Sequence, residues 1–363
     1  MVKEEKILGI SDELQKILDS NMDTASERRR AREAFKEIQL GIDHCLMKVP
    51  KEGLKIEESY EVNSRGLEIF SKSWLPANSL PKALVYCCHG YGETCTFFFE
   101  GVARKLASSG YGVFAMDYPG FGLSDGLHGY IPSFDKLVND VAEHYSKIKG
   151  NPKFRNLPSY LLGQSLGGAV VLKVHLKQPN EWNGAILVAP MFKFADNMIP
   201  PWLVKQILIG VAHVFPKLKI VPHQDIAKMA FRDFKKLELA KYNVIAYKDT
   251  ARLGTALECL RTTQELEQRL EEAFFYDDYS LIRNGNILQV SLPLLILHGE
   301  ADIVTDPSLS KALYQNANSS DKKLKLYKDA SHALLEGETD EMIFRVLDDI
   351  ISWLDEHSIK FKA

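Results

Sequence analysis

Apolar and polar positions along the 363-residue chain fall into two textures. Beyond about Tyr60, short continuous apolar runs alternate with stretches in which apolar residues recur every three or four positions. The runs at 83–88 (ALVYCC), 111–117 (YGVFAMD), 159–163, 184–189 (GAILVA), 292–298 (LPLLILH) and 323–327 (KLKLY) read as strands. Most lack the in–out alternation of a half-exposed strand, which predicts burial on both faces. Helices are predicted over 97–109, closed by Gly110, over 133–149 with Ser133 as cap, and over 167–177, stopping before Pro179. A last helix over 339–356 sets Ile343, Val346, Leu347, Ile350, Ile351 and Leu354 on one face.

Apolar strands alternating with helices predict an α/β fold: a mostly parallel central sheet with helices on both faces. The alternation breaks over residues 191–289, which are helical in pattern. This interruption lies between two strands and predicts an inserted cap over their carboxyl ends, where ligands bind in such folds. The expected organisation is a charged helical N-terminal extension (1–50), a first part of the core (51–190), the cap (191–289) and a second part of the core (290–363). In the extension, Thr24 and Glu27 fit a capping box. Arg28, Arg29, Arg30 and Arg32 read as a solvated helix face, with anionic lipid head groups as the alternative.

A net charge of −3 gives no reason to expect a nucleic-acid partner. Cys45, Cys87, Cys88, Cys95 and Cys259 are odd in number and lack metal-site spacing, so free thiols in a reducing compartment are expected. The first twenty residues lack the apolar core of a signal peptide, and no window approaches ~18 uninterrupted apolar residues. A cytoplasmic protein is expected, with peripheral membrane contact through the cap or the N-terminal helix as a further expectation. There is no H-E-x-x-H motif, and no metal or cofactor is expected. Oligomeric state is left open.

The candidate chemistry centres on Gly163-Gln164-Ser165-Leu166-Gly167, a G-x-S-x-G pattern between a predicted strand and helix. Such an elbow lifts the serine hydroxyl clear of the sheet, and its crowded flanks need glycine. A serine needs an adjacent base, and in this fold the chain order is serine, acid, histidine. Asp302 and His332 follow predicted strands and fit as acid and base. Glu300, Asp306 and Asp329 are the rival carboxylates, with Asp306 placed to start a helix at Pro307. His298 reads as a packed structural histidine. The backbone N–H groups of Leu166 and Tyr91, the latter in His89-Gly-Tyr-Gly92, are the candidate oxyanion donors.

With these residues the chain resembles an α/β-hydrolase of the monoacylglycerol lipase group. It is especially similar to plant members described as monoacylglycerol lipases, lysophospholipases or caffeoylshikimate esterases. The resemblance rests on HGYGETCTFF, MDYPGFGLSDG, GQSLGGAV, HGEADIVTDP and HALLEGE, and spans roughly residues 30–357. It implies a serine carboxylester hydrolase working through an acyl-enzyme, with Ser165, Asp302 and His332 as nucleophile, acid and base and Tyr91 and Leu166 as oxyanion donors. The implied substrate is a small amphiphilic ester. Monoacylglycerol or lysophospholipid is the first choice, a hydroxycinnamoyl ester the second, and a non-catalytic receptor on the same scaffold the third.

Two departures from that family stand out. Residues 273–289 (AFFYDDYSLIRNGNILQ) are an insert holding Phe274, Phe275, Tyr276 and Tyr279. Ser331 replaces an aromatic residue before His332, which predicts looser packing behind the imidazole. The cap stretch 199–212 is apolar almost all round. It reads either as a buried helix, as the wall of an acyl tunnel, or as a membrane-facing surface. Arg252, Arg261, Lys235 and Lys236 are the cap cations available to a phenolic ester.

Overall fold

A computed structural model describes residues 10–221, 225–275 and 290–360. Among these, eight strands form one sheet: β1 (Leu54–Val62), β2 (Glu68–Pro76), β3 (Leu84–Cys88), β4 (Gly112–Met116), β5 (Ser159–Gln164), β6 (Gly184–Val188), β7 (Leu294–Gly299) and β8 (Lys322–Tyr327). Their order is β1-β2-β4-β3-β5-β6-β7-β8. The β1/β2 and β2/β4 pairs are antiparallel, and every pair from β4/β3 to β7/β8 is parallel. This is the α/β-hydrolase fold.

Within β3, Leu84, Tyr86 and Cys88 enter one apolar layer while Val85 and Cys87 enter the other. The first layer is covered by α4 (Phe134–Lys149), α5 (Leu166–Lys177) and α10 (Pro307–Asn316). The second is covered by α2 (Ala25–Leu40), α3 (Phe98–Ser108) and α11 (Asp340–Lys360). Both strand faces are thus buried, which is why β3 to β7 are continuous apolar runs. On α11, Ile351 is only half-buried and Trp353 is fully packed, a one-position change from the expected face.

The β1–β2 hairpin left no comparable signal. β1 is an edge strand with most side chains in solvent. β2 buries Ser71 and Lys72, and Lys72 lies between Glu58 and Glu100. A buried lysine is tolerable only because those carboxylates are close. Burial disfavours the charged form of Glu58, but Arg32 and Lys72 outweigh it and hold the carboxyl down at about 2.

The N-terminal arginines do not form a solvated face. α1 (Asp12–Leu18) and α2 lie on the core, and Arg28 is fully buried. It donates to the carbonyls of Gly122 (2.5 Å), Ser124 (2.6 Å) and Met22 (2.9 Å). Arg29 pairs with Glu68 and Arg32 with Glu58, so Arg30 alone of the four points outward. Thr24 is the N-cap of α2 but makes no side-chain cap bond; its hydroxyl donates to the carbonyl of Asn21 and accepts from the Ser26 hydroxyl instead. Ser133 does cap α4, accepting from the amide of Lys136.

Between β6 and β7 the chain forms α6 (Trp202–Val214), α7 (Ile226–Ala230), α8 (Phe234–Ala240) and α9 (Leu253–Phe275). The 273–289 insert lies outside the described residues beyond Phe275. No helix among the described residues is long and apolar enough to cross a membrane. All five cysteines are free and buried.

Candidate active site

Strand β5 ends at Gln164 and α5 begins at Leu166, leaving Ser165 alone at the corner with φ = 53°. That left-handed conformation is rare for a residue with a side chain. The elbow is locked from the neighbouring strand. The Ser165 amide donates to the Val188 carbonyl (3.0 Å), and the Met191 amide donates to the Ser165 carbonyl (2.9 Å). The flanking glycines meet a packing demand. A Cβ on Gly163 would land on the Gly167 carbonyl, and one on Gly167 would land on the carbonyl of Cys88.

The loops after β7 and β8 bring Asp302 and His332 to this corner. The Ser165 hydroxyl lies 2.9 Å from His332 Nε2, and His332 Nδ1 lies 2.7 Å from Asp302 Oδ2. The three residues stand 167 and 30 positions apart in sequence and meet only because the parallel strands end on one edge. His332 is 5% exposed. The Ser331 amide donates to Glu338 Oε1 (2.5 Å), which holds the backbone just before the imidazole.

Asp302 is fully enclosed and richly bonded. Its Oδ1 accepts from the amides of Val304 (2.8 Å) and Thr305 (3.0 Å). Its Oδ2 accepts from Thr305 Oγ1 (2.9 Å) and from His298 Nε2 (3.0 Å), besides His332. Burial pushes its pKa up, but His332 and His298 outweigh burial and hold it far below the usual carboxylate range. The charged form is therefore the resident one.

The rival carboxylates lie elsewhere. Asp306 caps α10, accepting from the Ser308 amide, as the Pro307 step suggested. Glu300 is exposed, and Asp329 sits in a tight turn with φ = 59°. Among the described residues none of the three bonds to His332. His298 is packed, as expected, and it also touches Asp302. No sequence spacing distinguished that contact, because His298 lies at the end of strand β7 and Asp302 four residues on, in a loop whose course the sequence leaves open. Thr305 likewise carried no signal.

The loop after β3 carries Tyr91 between Gly90 and Gly92. Among the described residues, no protein group accepts from the amides of Tyr91 or Leu166. Two side chains to which the sequence assigned no role brace this loop. Glu93 accepts from the Gly90 amide (2.9 Å) and from Gln164 Nε2 (3.4 Å), linking the Tyr91 loop to the residue before Ser165. His89 donates through Nδ1 to the Gly90 carbonyl and accepts at Nε2 from the Tyr118 amide.

A cavity of ≈ 950 Å³ opens onto Ser165 and His332. Its walls are mainly apolar and include Leu208, Ile209 and Ala212 of α6, Met191 and Phe194, with Leu18 contributed by α1. Helix α6 is not buried, contrary to one of the three readings of this stretch. Its other face leaves Trp202 (70% exposed), Leu203 and Ile207 in solvent. The four cap cations do not line the cavity. Arg252 bonds Asp23 (2.6 Å), Lys236 bonds Asp340 (2.5 Å), Arg261 bonds Glu258 (3.2 Å), and Lys235 is exposed. Lys205 of α6 does line it.

The chain is similar to known proteins over most of its length. Residues 79–340 match the Hydrolase_4 family model, described as serine aminopeptidase, S33. The chain is 32% identical to caffeoylshikimate esterase of Arabidopsis thaliana, over 85% of this chain and 88% of that one. It is 26% identical to the monoglyceride lipase of Homo sapiens, over 82% and 90% of the two chains. A soluble variant of monoglyceride lipase from Saccharomyces cerevisiae, solved with a substrate analog, superposes with a TM-score of 0.70 at 23% identity. That structure covers 85% of this chain and 99% of its own. An elbow serine, a histidine and a buried aspartate on one sheet edge, together with a family match over most of the chain, lead to one conclusion: the protein belongs to the Hydrolase_4 family of α/β-hydrolases.

Proposed function

We propose that the protein hydrolyses carboxylic esters of amphiphilic substrates, with monoacylglycerol or lysophospholipid as the preferred class, using Ser165, His332 and Asp302. The observation that carries this reading is the unbroken hydrogen-bond chain from the Ser165 hydroxyl through His332 to Asp302 beside a large apolar cavity. Ser165 Oγ attacks the ester carbonyl as His332 Nε2 takes its proton. Negative charge on the former carbonyl oxygen is met by the N–H groups of Tyr91 and Leu166. Collapse expels the alcohol, which leaves with the proton from His332. A water, deprotonated by the same imidazole, then releases the acid and restores Ser165. Asp302 holds the imidazole tautomer and stabilises its charged form.

Of the expected cap, the described residues 191–221 and 225–275 are read as a lid over this cavity, and residues 10–50 of the N-terminal extension as reaching it through Leu18. An acyl chain suits the apolar walls, since burial of each CH₂ contributes about 0.8 kcal/mol. The exposed face of α6 suits a lipid surface. Trp202, Leu203 and Ile207 point away from the cavity while Leu208, Ile209 and Ala212 point into it, so one helix would touch both membrane and substrate. Replacing both Trp202 and Leu203 with aspartate is expected to lower partitioning onto anionic vesicles about tenfold, roughly 1.4 kcal/mol, as read by co-sedimentation. Unchanged partitioning would remove α6 as the contact. The five unpaired cysteines support a reducing compartment such as the cytoplasm.

A second reading, hydrolysis of a hydroxycinnamoyl ester, is favoured by the 32% identity to a caffeoylshikimate esterase and by Lys205. Among the described residues Lys205 makes no ion pair and lines the cavity, where it would meet a substrate carboxylate. Turnover of 2-monoacylglycerol and of caffeoylshikimate by one preparation separates the two readings. The acyl-lipid assignment expects the larger kcat/KM on the monoacylglycerol, and the reverse order overturns it.

A further inference from the structure

We infer that His298 is a positioning residue for the acid of this site: its imidazole fixes the Asp302 carboxylate and sets how strongly Asp302 draws a proton onto His332. This rests on the triad reading given above.

His298 Nε2 lies 3.0 Å from Asp302 Oδ2, the same oxygen that accepts from His332. A carboxylate only accepts, so Nε2 carries the hydrogen. The other ring nitrogen, Nδ1, lies 2.7 Å from Ser310 Oγ on α10. With Nε2 protonated, the neutral ring can only accept at Nδ1, so the Ser310 hydroxyl donates to it and fixes the tautomer. His298, Ser310 and the Asp302 side chain are all fully buried. Water cannot replace the His298 contact without a rearrangement of the core. The result is a second histidine on the far side of the acid, in a line running from Ser310 through His298, Asp302 and His332 to Ser165.

A second histidine on the carboxylate oxygen has two opposing effects on the reaction. Each N–H delivered to Oδ2 spreads the negative charge that His332 feels. His298 and Thr305 thus orient the carboxylate while reducing its pull on the His332 proton. Removing the His298 N–H makes Asp302 more basic and raises the proton affinity of His332. The base is then protonated at higher pH, and the acid limb of the kcat/KM profile moves upward. Other acids do not enter this balance. Glu300, Asp306 and Asp329 make no bond to either ring among the described residues. Glu93 and Glu336 line the cavity on the His332 side and are unchanged in every variant below.

The test uses the full chain with a soluble p-nitrophenyl ester of a medium-length acid, together with a fluorophosphonate probe. His298→Leu is expected to lower kcat about tenfold, the factor set by one hydrogen bond to a buried charge. KM should change little, and the acid limb of kcat/KM should move up by about one pH unit. His298→Gln keeps an N–H within reach of Oδ2 and should restore the limb. Ser310→Ala should move it partway in the same direction. If His298→Leu does not fold, the Gln and Ala variants carry the test. An acid limb that stays at the wild-type position in every folded variant overturns the inference, as does an equal displacement in the Gln variant. Wild-type protein with neither turnover nor probe labelling would instead refute the underlying hydrolase reading.

Discussion

Ser165→Ala is expected to lower ester turnover by about 10⁶-fold, as loss of the nucleophile does in other serine hydrolases, with KM and thermal midpoint close to wild type. The reasoning is local. Oγ is the only heavy atom removed, and among the described residues its one hydrogen-bond partner is His332 Nε2. The strained corner at φ = 53° is retained or eased, because alanine adopts that conformation no worse than serine. Folding therefore loses little and the chemistry loses its attacking atom. A steady-state assay on the monoacylglycerol, with a melting curve on the same sample, checks both halves. Residual activity within about a hundredfold of wild type would place the nucleophile elsewhere.

The second large effect is at Asp302. Asp302→Asn is expected to lower kcat by about 10⁴-fold, the loss seen when a triad aspartate becomes an amide. The neighbours explain why the loss should be large. Asp302 accepts five hydrogen bonds in a fully enclosed site. An amide can supply only one oxygen as acceptor, and its NH₂ would face donors from the backbone or from two imidazoles and a threonine. Either orientation leaves donors opposed. His332 would then turn its unprotonated nitrogen to the amide and lose the tautomer that takes the Ser165 proton. Asp306→Asn, a change at the rival acid, should leave kcat within about twofold, because a capping bond alone is weakened. A loss below tenfold at Asp302 would mean the acid lies elsewhere.

Ser165, Asp302 and His332, the three side chains that meet on the strand edge, were legible in the sequence because each is flagged by position as well as by type. Gly163 and Gly167 mark a corner that no side chain fits, and Asp302 and His332 follow strands whose apolar runs are unmistakable. The surrounding support was not legible. His298, Thr305 and Glu93 act through contacts decided by loop geometry, and nothing in HGEADIVT says which side chain turns toward which. The same limit hid the β1–β2 hairpin. Its strands are half polar, and the buried Lys72 is acceptable only through Glu58 and Glu100, 14 and 28 positions distant. Charge patterning misled at the N terminus for a related reason. Arg28 looks like a solvated residue until the loop carrying Gly122 and Ser124 offers it three carbonyls' worth of acceptors together with Met22. Helix α6 shows the converse. An apolar stretch is ordinarily core, yet here one face lines the substrate cavity and the other stands in solvent.

Ester hydrolysis at this site requires that His332 activate the Ser165 hydroxyl. Peptide-level mass spectrometry after treatment with a fluorophosphonate reports this at the atom concerned. A single stoichiometric adduct on the peptide carrying Ser165, absent from His332→Ala protein of unchanged fold, is the expected result. An adduct on another residue, or no adduct on folded wild-type protein, would contradict it.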